Sequence, residues 1–284
     1  MCEIRLLFPV HMRTFFQDDT WQSGLEEIRV RVGQPIEFCY GSDNCYLIGK
    51  EKEQMFCSEK DYRRWEKDLY HASEADLREM LNYISNYSLY AYKEEIKQGY
   101  ITIEGGHRVG VAGQTVLVDG KIAGISPITF LNIRIAHEKC GCAKKILPLI
   151  RQKNSIYNTL ILSMPGAGKT TLLRDSIRAL SNGEAYGIRL KVCVVDERSE
   201  IAACYKGIPQ NDVGDCTDVM DMIPKSKGIM MMLRAMSPRV IAVDEINRNE
   251  DIAAIRSARS CGAALLCTMH SDENSFEQAV VAGK

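Results

Sequence analysis

The chain has 284 residues, enough for about two domains, with 45% hydrophobic and 26% charged residues, an ordinary globular mix that excludes a largely disordered chain. Its formal net charge of -1 excludes a polycationic nucleic-acid binder judged by total charge, although a local basic patch stays compatible with it. No apolar run approaches the roughly 20 residues of a membrane-spanning helix, and the N-terminal Leu6-Leu7-Phe8-Pro9 run is too short and wrongly flanked for a signal peptide.

A cytoplasmic protein is expected, with peripheral attachment to the cytoplasmic face of a membrane complex left open. The 11 cysteines are odd in number and unpatterned, which fits a reducing compartment. His137, Cys140 and Cys142 lie close together but lack the four-ligand spacing of a metal site, so a linker with free thiols is expected there.

In the first half, Glu27 to Val32 alternates as a strand, and Ile36 to Phe38 and Tyr46 to Ile48 follow as short strands. Ser73 with Asp76 has the spacing of a capping box, ahead of Leu77, Met80, Leu81 and Ile84 at helical intervals. A second helix is expected from about Leu89 to Gln98, stopped by Gly99. The period then drops to two through 100–103, 109–111 and 115–118. Asp119-Gly120 signals a hairpin, and Ile128 to Ile135 is the last strand. This half, 1–138, is expected to be an α+β domain.

Residues 139–156 carry Gly141, Pro148, Lys139, Lys144, Lys145, Arg151 and Lys153, and are expected to form a linker with a solvated basic face. A basic surface for nucleic acid or acidic lipid is the sharper alternative. From 157 to 284, buried strands at 159–162, 192–195, 240–243 and 264–267 alternate with helical stretches. That pattern predicts an α/β domain with a parallel sheet covered by helices on both faces. Met230, Met231, Met232 and Met236 are expected in the core or at a subunit contact.

The strongest chemical signal is Ser163-Met164-Pro165-Gly166-Ala167-Gly168-Lys169-Thr170-Thr171, between a buried strand and a helix. Its glycines let backbone N–H groups approach phosphate oxygens, and the new helix adds its own free N–H groups and positive dipole end. Pro165, Gly166, Ala167, Gly168, Lys169, Thr170 and Thr171 are the candidate nucleotide-binding residues. The loop departs from the P-loop pattern only in carrying Ser163 where glycine is usual.

The strand Val240-Ile241-Ala242-Val243 ends in Asp244-Glu245, at the sheet edge where open α/β sheets bind ligands. Thr170 and Asp244 are the candidate magnesium ligands, and Glu245 is the candidate general base. Val192 to Val195 ends similarly in Asp196-Glu197, so Glu197 competes for the base role or supports it. This extra strand between P-loop and Asp244 is characteristic of the glutamate-base branch of RecA-like P-loop ATPases. A fourth strand ends in Thr268-Met269-His270-Ser271. If it inserts between the P-loop and magnesium strands, His270 lies under the γ-phosphate as a sensor or positioning group.

Taken together, 165–171, Asp196 to Glu200, Val243 to Arg248 and Thr268 to Ser271 resemble, in order, the Walker A loop, acidic box, Walker B strand and histidine box of secretion-type ATPases. These drive type II and type IV secretion and pilus retraction. Asp244-Glu245 stands where they usually have Gly-Glu. Phrases such as Gly105-Gly106-His107-Arg108-Val109-Gly110, Val195-Asp196-Glu197-Arg198-Ser199-Glu200 and Pro209-Gln210-Asn211-Asp212-Val213-Gly214 resemble a sporulation stage III AA family over nearly the whole chain.

The resemblance implies an ATP- and Mg2+-dependent ring motor, a homo-hexamer, with membrane-embedded sporulation channel proteins as partners between mother cell and forespore. Two other readings stand beside it. One is an ATPase stimulated by single-stranded nucleic acid through Arg29, Arg31, Arg108, Arg134 and the 139–153 cations. The other is a nucleotide switch that does not hydrolyse. The chain ends soon after the histidine box, so a C-terminal truncation or a short variant is expected.

Overall fold

The structure is a computed structural model that describes residues 4–16, 18–49, 55–184 and 187–270. The chain divides into two compact units, 1–137 and 138–284.

In the first unit the strands are β1 (Glu27–Arg31), β2 (Glu37–Tyr40), β3 (Asp43–Leu47), β4 (Phe56–Ser58), β5 (Tyr100–Thr102), β6 (Arg108–Val118) and β7 (Lys121–Arg134). They form one antiparallel sheet in the order β4-β3-β2-β1-β7-β6-β5. Helix α1 (Glu74–Ile84) begins at the expected capping box. The Ser73 hydroxyl accepts from the Asp76 N–H while the Asp76 carboxylate accepts from the Ser73 N–H. Its apolar face, Leu77, Met80, Leu81 and Ile84, is buried.

The expected second helix is shorter than its pattern suggested. A 3-10 turn over Leu89–Tyr92 precedes α2 (Lys93–Lys97), and Gly99 at φ +85° ends it. The segments expected as separate strands at 109–111 and 115–118 are one strand, β6. Asp119 and Gly120, both at positive φ, turn it tightly into β7.

In the second unit, β8 (Thr159–Ser163), α3 (Lys169–Asn182), β9 (Val192–Asp196), β10 (Thr217–Asp221), α4 (Lys225–Ala235), β11 (Val240–Val243), α5 (Asn249–Ser260) and β12 (Ala264–His270) follow in chain order. The strands are all parallel, in the order β8-β12-β11-β9-β10.

Side chains alternate to two apolar layers. Val192, Val194, Val240, Ala242 and Leu266 pack with Leu173, Ile177 and Leu180 of α3. Cys193, Val195, Ile241, Val243 and Leu265 pack with Ile229 and Met232 of α4 and Ala254 and Ala258 of α5. A parallel sheet buried on both faces needs this near-continuous apolar composition.

Two further findings differ from the sequence expectations. The edge strand β10 was not anticipated, because Thr217-Asp218-Val219-Met220-Asp221 is half-exposed throughout and carries no apolar run. The stretch 139–156, expected as a linker, packs Ala143, Leu147, Ile150 and Ile156 into the core of the second unit. The methionine group divides, with Met232 buried and Met231 and Met236 exposed.

Gly214 sits at φ +84° against α3, where an added Cβ would lie 2.6 Å from the Ser181 Cβ and 2.8 Å from the Arg178 carbonyl oxygen. Backbone cannot yield as a flexible side chain does. Gly214→Ala is therefore expected to cost about 1–3 kcal/mol. A thermal melt should show the midpoint falling by about 2–8 °C.

Candidate nucleotide site

The loop after β8 turns at Gly166 and Gly168, with φ of +75° and +87°, and a Cβ at either position would meet nothing within 4 Å. Helix α3 starts at Lys169 with Gly168 as N-cap and no side-chain cap, so its first amides are available to an anion.

Lys169 is almost wholly buried. Its ammonium donates to the carbonyl oxygens of Ser163 and Met164, both at 3.0 Å, and to Nδ1 of His270 at 2.9 Å. An ammonium has no lone pair, so Nδ1 must accept. The ring proton therefore sits on Nε2, which donates to Oε1 of Glu245 at 2.7 Å.

His270 reaches this position because β12 pairs with β8 on one side, placing it opposite Ser163, and with β11 on the other. Ser271, the last residue of the segment compared with a histidine box, lies outside the described residues.

The Thr170 hydroxyl donates to Oδ2 of Asp244 at 2.6 Å. The Thr268 hydroxyl donates to the other oxygen, Oδ1, and accepts the Glu245 N–H at 2.8 Å. Thr170 and Asp244, expected as magnesium ligands, are thus brought together from α3 and the end of β11. Their hard oxygens at the mouth of a phosphate cradle fit a magnesium ion.

Glu245 has φ +50°, a left-handed conformation unusual for a glutamate. Its carboxylate is fixed at both oxygens, by His270 and by Arg198, whose Nη1 lies 3.0 Å from Oε2. Strain of this kind, about 1–3 kcal/mol, persists only where surrounding contacts hold it.

Glu197 is held by a different pair of cations. Its Oε2 accepts from Lys225 and its Oε1 from Arg248 at 3.2 Å. Burial pushes its carboxyl up, but the hydrogen bond and charge of Lys225, followed by Arg248, outweigh burial and hold it below the usual range. Asp196 is buried and accepts backbone N–H groups from Glu200, Ile201 and Ala202, each at 2.9 Å, so it braces its own loop. Burial pushes the Asp196 carboxyl up, and those amides offset this only in part.

Sequence reasoning missed Lys225 as part of the site and gave Thr268 no role beyond opening the histidine-box segment. Thr268 was within reach, because a hydroxyl residue late in a buried strand must find a polar partner. Arg174, one turn into α3 from Thr170, was also missed. It donates to the carbonyls of Glu200 and Ile201 at 2.7 and 2.6 Å, tying the P-loop helix to the acidic loop. Arg29 and Arg31, considered above for a nucleic-acid groove, both reach the buried Glu37 carboxylate, at 3.4 and 2.8 Å.

A family model described as "Sporulation stage III, protein AA" matches residues 2–281. Stage III sporulation protein AA of Bacillus subtilis is 40% identical over 272 residues, covering 95% of this chain and 81% of that protein. The chain belongs to the stage III sporulation protein AA family. The uncharacterized protein ycf45 of Porphyra purpurea is 30% identical over 145 residues, half of this chain and 24% of that protein.

Among solved structures, the Legionella pneumophila ATPase DotB superposes with a TM-score of 0.57 at 18% identity, covering 97% of this chain and 70% of that one. The pilus retraction motor PilT with bound ADP gives 0.54 at 14%, covering 93% and 68%. The chain therefore shares the fold of DotB and PilT, with an antiparallel N-terminal unit preceding the parallel sheet in the sequence.

Proposed function

We propose that this member of the sporulation stage III AA family binds ATP with Mg2+ at the P-loop, hydrolyses it, and works as a ring-shaped motor on a membrane complex. The observation that carries the reading is the 2.6 Å contact between the Thr170 hydroxyl and the Asp244 carboxylate. It joins a phosphate-binding loop to an acidic strand end, with Glu245 next in the chain.

In this reading the amides of 166–171 hold the triphosphate. Lys169 exchanges its two carbonyl partners and His270 for phosphate oxygens. Thr170 and Asp244 would hold magnesium, which supplies charge neutralisation on the β- and γ-phosphates. Glu245 accepts the proton of the attacking water, as a positioned base must. Once Lys169 turns to phosphate, His270 keeps its Nε2–H on Glu245 and gains a free Nδ1 toward the phosphate side.

Phosphoryl transfer asks little covalent chemistry of the protein, so placement of these groups is the catalysis. Family membership supports the sporulation setting, and the fold shared with the ATPase DotB and the pilus retraction motor PilT supports a motor. No helix among the described residues is long and apolar enough to cross a membrane, which fits a peripheral role.

The test is a steady-state ATPase assay on the full chain, with oligomer mass measured with and without nucleotide. Turnover that accompanies a nucleotide-dependent ring is expected. Absence of turnover under ring-forming conditions overturns the motor reading, and nucleotide binding without turnover supports the switch.

A further inference from the structure

Two loops at the carboxyl edge of the parallel sheet exchange arginines. Arg198, after β9, reaches across to Glu245 at 3.0 Å, and Arg248, after β11, reaches back to Glu197 at 3.2 Å. Lys225, the first residue of α4, takes the second oxygen of Glu197 and is itself buried. The Lys225 ammonium thus has an anionic partner that offsets its burial.

The start of α4 is in turn seated on β9. A Cβ at Gly228 would lie 2.4 Å from the Val195 Cγ1, so only glycine permits this approach, two residues before Glu197. Lys225 therefore works from a rigid platform, whereas Arg198 and Arg248 are more than half exposed.

Glu197, Glu200 and Glu245 line one recess with Arg198, Lys225 and Asp244; Glu197 and Glu245 are the two that take the exchanged arginines, and a single base is needed. A carboxylate with a cation on each oxygen is a poor proton acceptor. That describes Glu197, whereas Glu245 shares its oxygens between one arginine and an imidazole.

We propose that Lys225 and Arg248 fix Glu197 as the anchor of a latch that carries Arg198 to Glu245, making Lys225 and Arg198 positioning residues for ATP hydrolysis and leaving Glu245 as its base. This rests on the ATPase reading and deepens it. Glu197 acts by fixing the loop in which Arg198 is the next residue. The latch restrains Glu245 in its left-handed conformation, with its carboxylate turned toward His270.

The test uses the full chain under conditions where the wild type turns over; a wild type without turnover sinks the ATPase reading before any variant is made. Lys225→Met is expected to lower kcat by about 10- to 100-fold, the scale of an ångström-level misplacement. KM for ATP and the affinity for a fluorescent ATP analogue should change by less than about 3-fold, because nucleotide contacts lie on the P-loop. Lys225→Arg should recover most of the rate.

Glu197→Gln loses the charge and keeps one of the two acceptor oxygens, enough for either Lys225 or Arg248. It is expected to retain measurable turnover, while Glu245→Gln does not. Adding Glu197→Gln to Lys225→Met should cost nothing further, since both remove one device. That double variant removes the buried ammonium together with the charge of its half-buried carboxylate partner, so it serves the test if Lys225→Met alone melts early. The latch is overturned if Lys225→Met, or the double variant in its place, has the wild-type kcat. It is equally overturned if Glu197→Gln is as inactive as Glu245→Gln.

Discussion

Lys169→Ala is expected to lower ATP turnover by about 100-fold or more, the scale of losing one charged group aimed at a developing transition state. That is about 2.7 kcal/mol of barrier. The structure places the Lys169 ammonium on the P-loop backbone itself, 3.0 Å from two of its carbonyl oxygens. Alanine leaves amides to hold the phosphates but nothing to follow charge onto the γ-phosphoryl group. Nucleotide affinity should fall as well, since the ammonium contacts ground-state phosphates.

The fold should survive the change. Lys169 pairs with two carbonyls and an imidazole and not with a carboxylate, so no buried anion is stranded. Parallel measurements of turnover, nucleotide affinity and melting midpoint separate these effects. Retained turnover, or loss of turnover explained by early melting, would count against the phosphate cradle.

Glu245→Gln is expected to abolish turnover, by about 100- to 10,000-fold, while nucleotide stays bound. Glutamine has the same size and can still accept from Arg198, so the left-handed backbone at 245 keeps one of its two restraints. The proton acceptor is gone. Binding depends on residues 166–171 and should be unaffected, giving a variant that holds ATP unhydrolysed and, in the motor reading, accumulates in its nucleotide-bound ring. A nucleotide-analogue titration beside a single-turnover assay checks both halves. Variant turnover near that of the wild type would move the base elsewhere, with Glu197 the first alternative.

Much of this site was legible because its parts are local. A strand, a glycine-rich loop and a helix occur in one run from Thr159 to Asn182, and each is signalled by neighbours a few residues away. The same holds for the Ser73–Asp76 box and the Asp119-Gly120 turn. The edge strand β10 was invisible because an edge strand is half-solvated, so its composition blurs into that of a loop. Residues 139–156 were obscured by their charges. Yet Ala143, Leu147 and Ile150 follow one another at helical intervals and are all buried, a pattern overshadowed by the lysines between them.

By itself the sequence determined that a phosphate loop exists, that four apolar strands line up parallel, and that two of them end in acids, since hydrogen-bonding period and burial are written over spans of five to ten residues. Only the tertiary structure decided which acid meets which cation. Arg198 and Glu245 lie 47 positions apart, and Glu197 and Arg248 lie 51 apart. Their crossing depends on β9 and β11 being neighbours, and the place of His270 depends on β12 entering between β8 and β11. Strand order is settled by how whole helices cover a sheet, a packing property of the complete domain that no local period encodes.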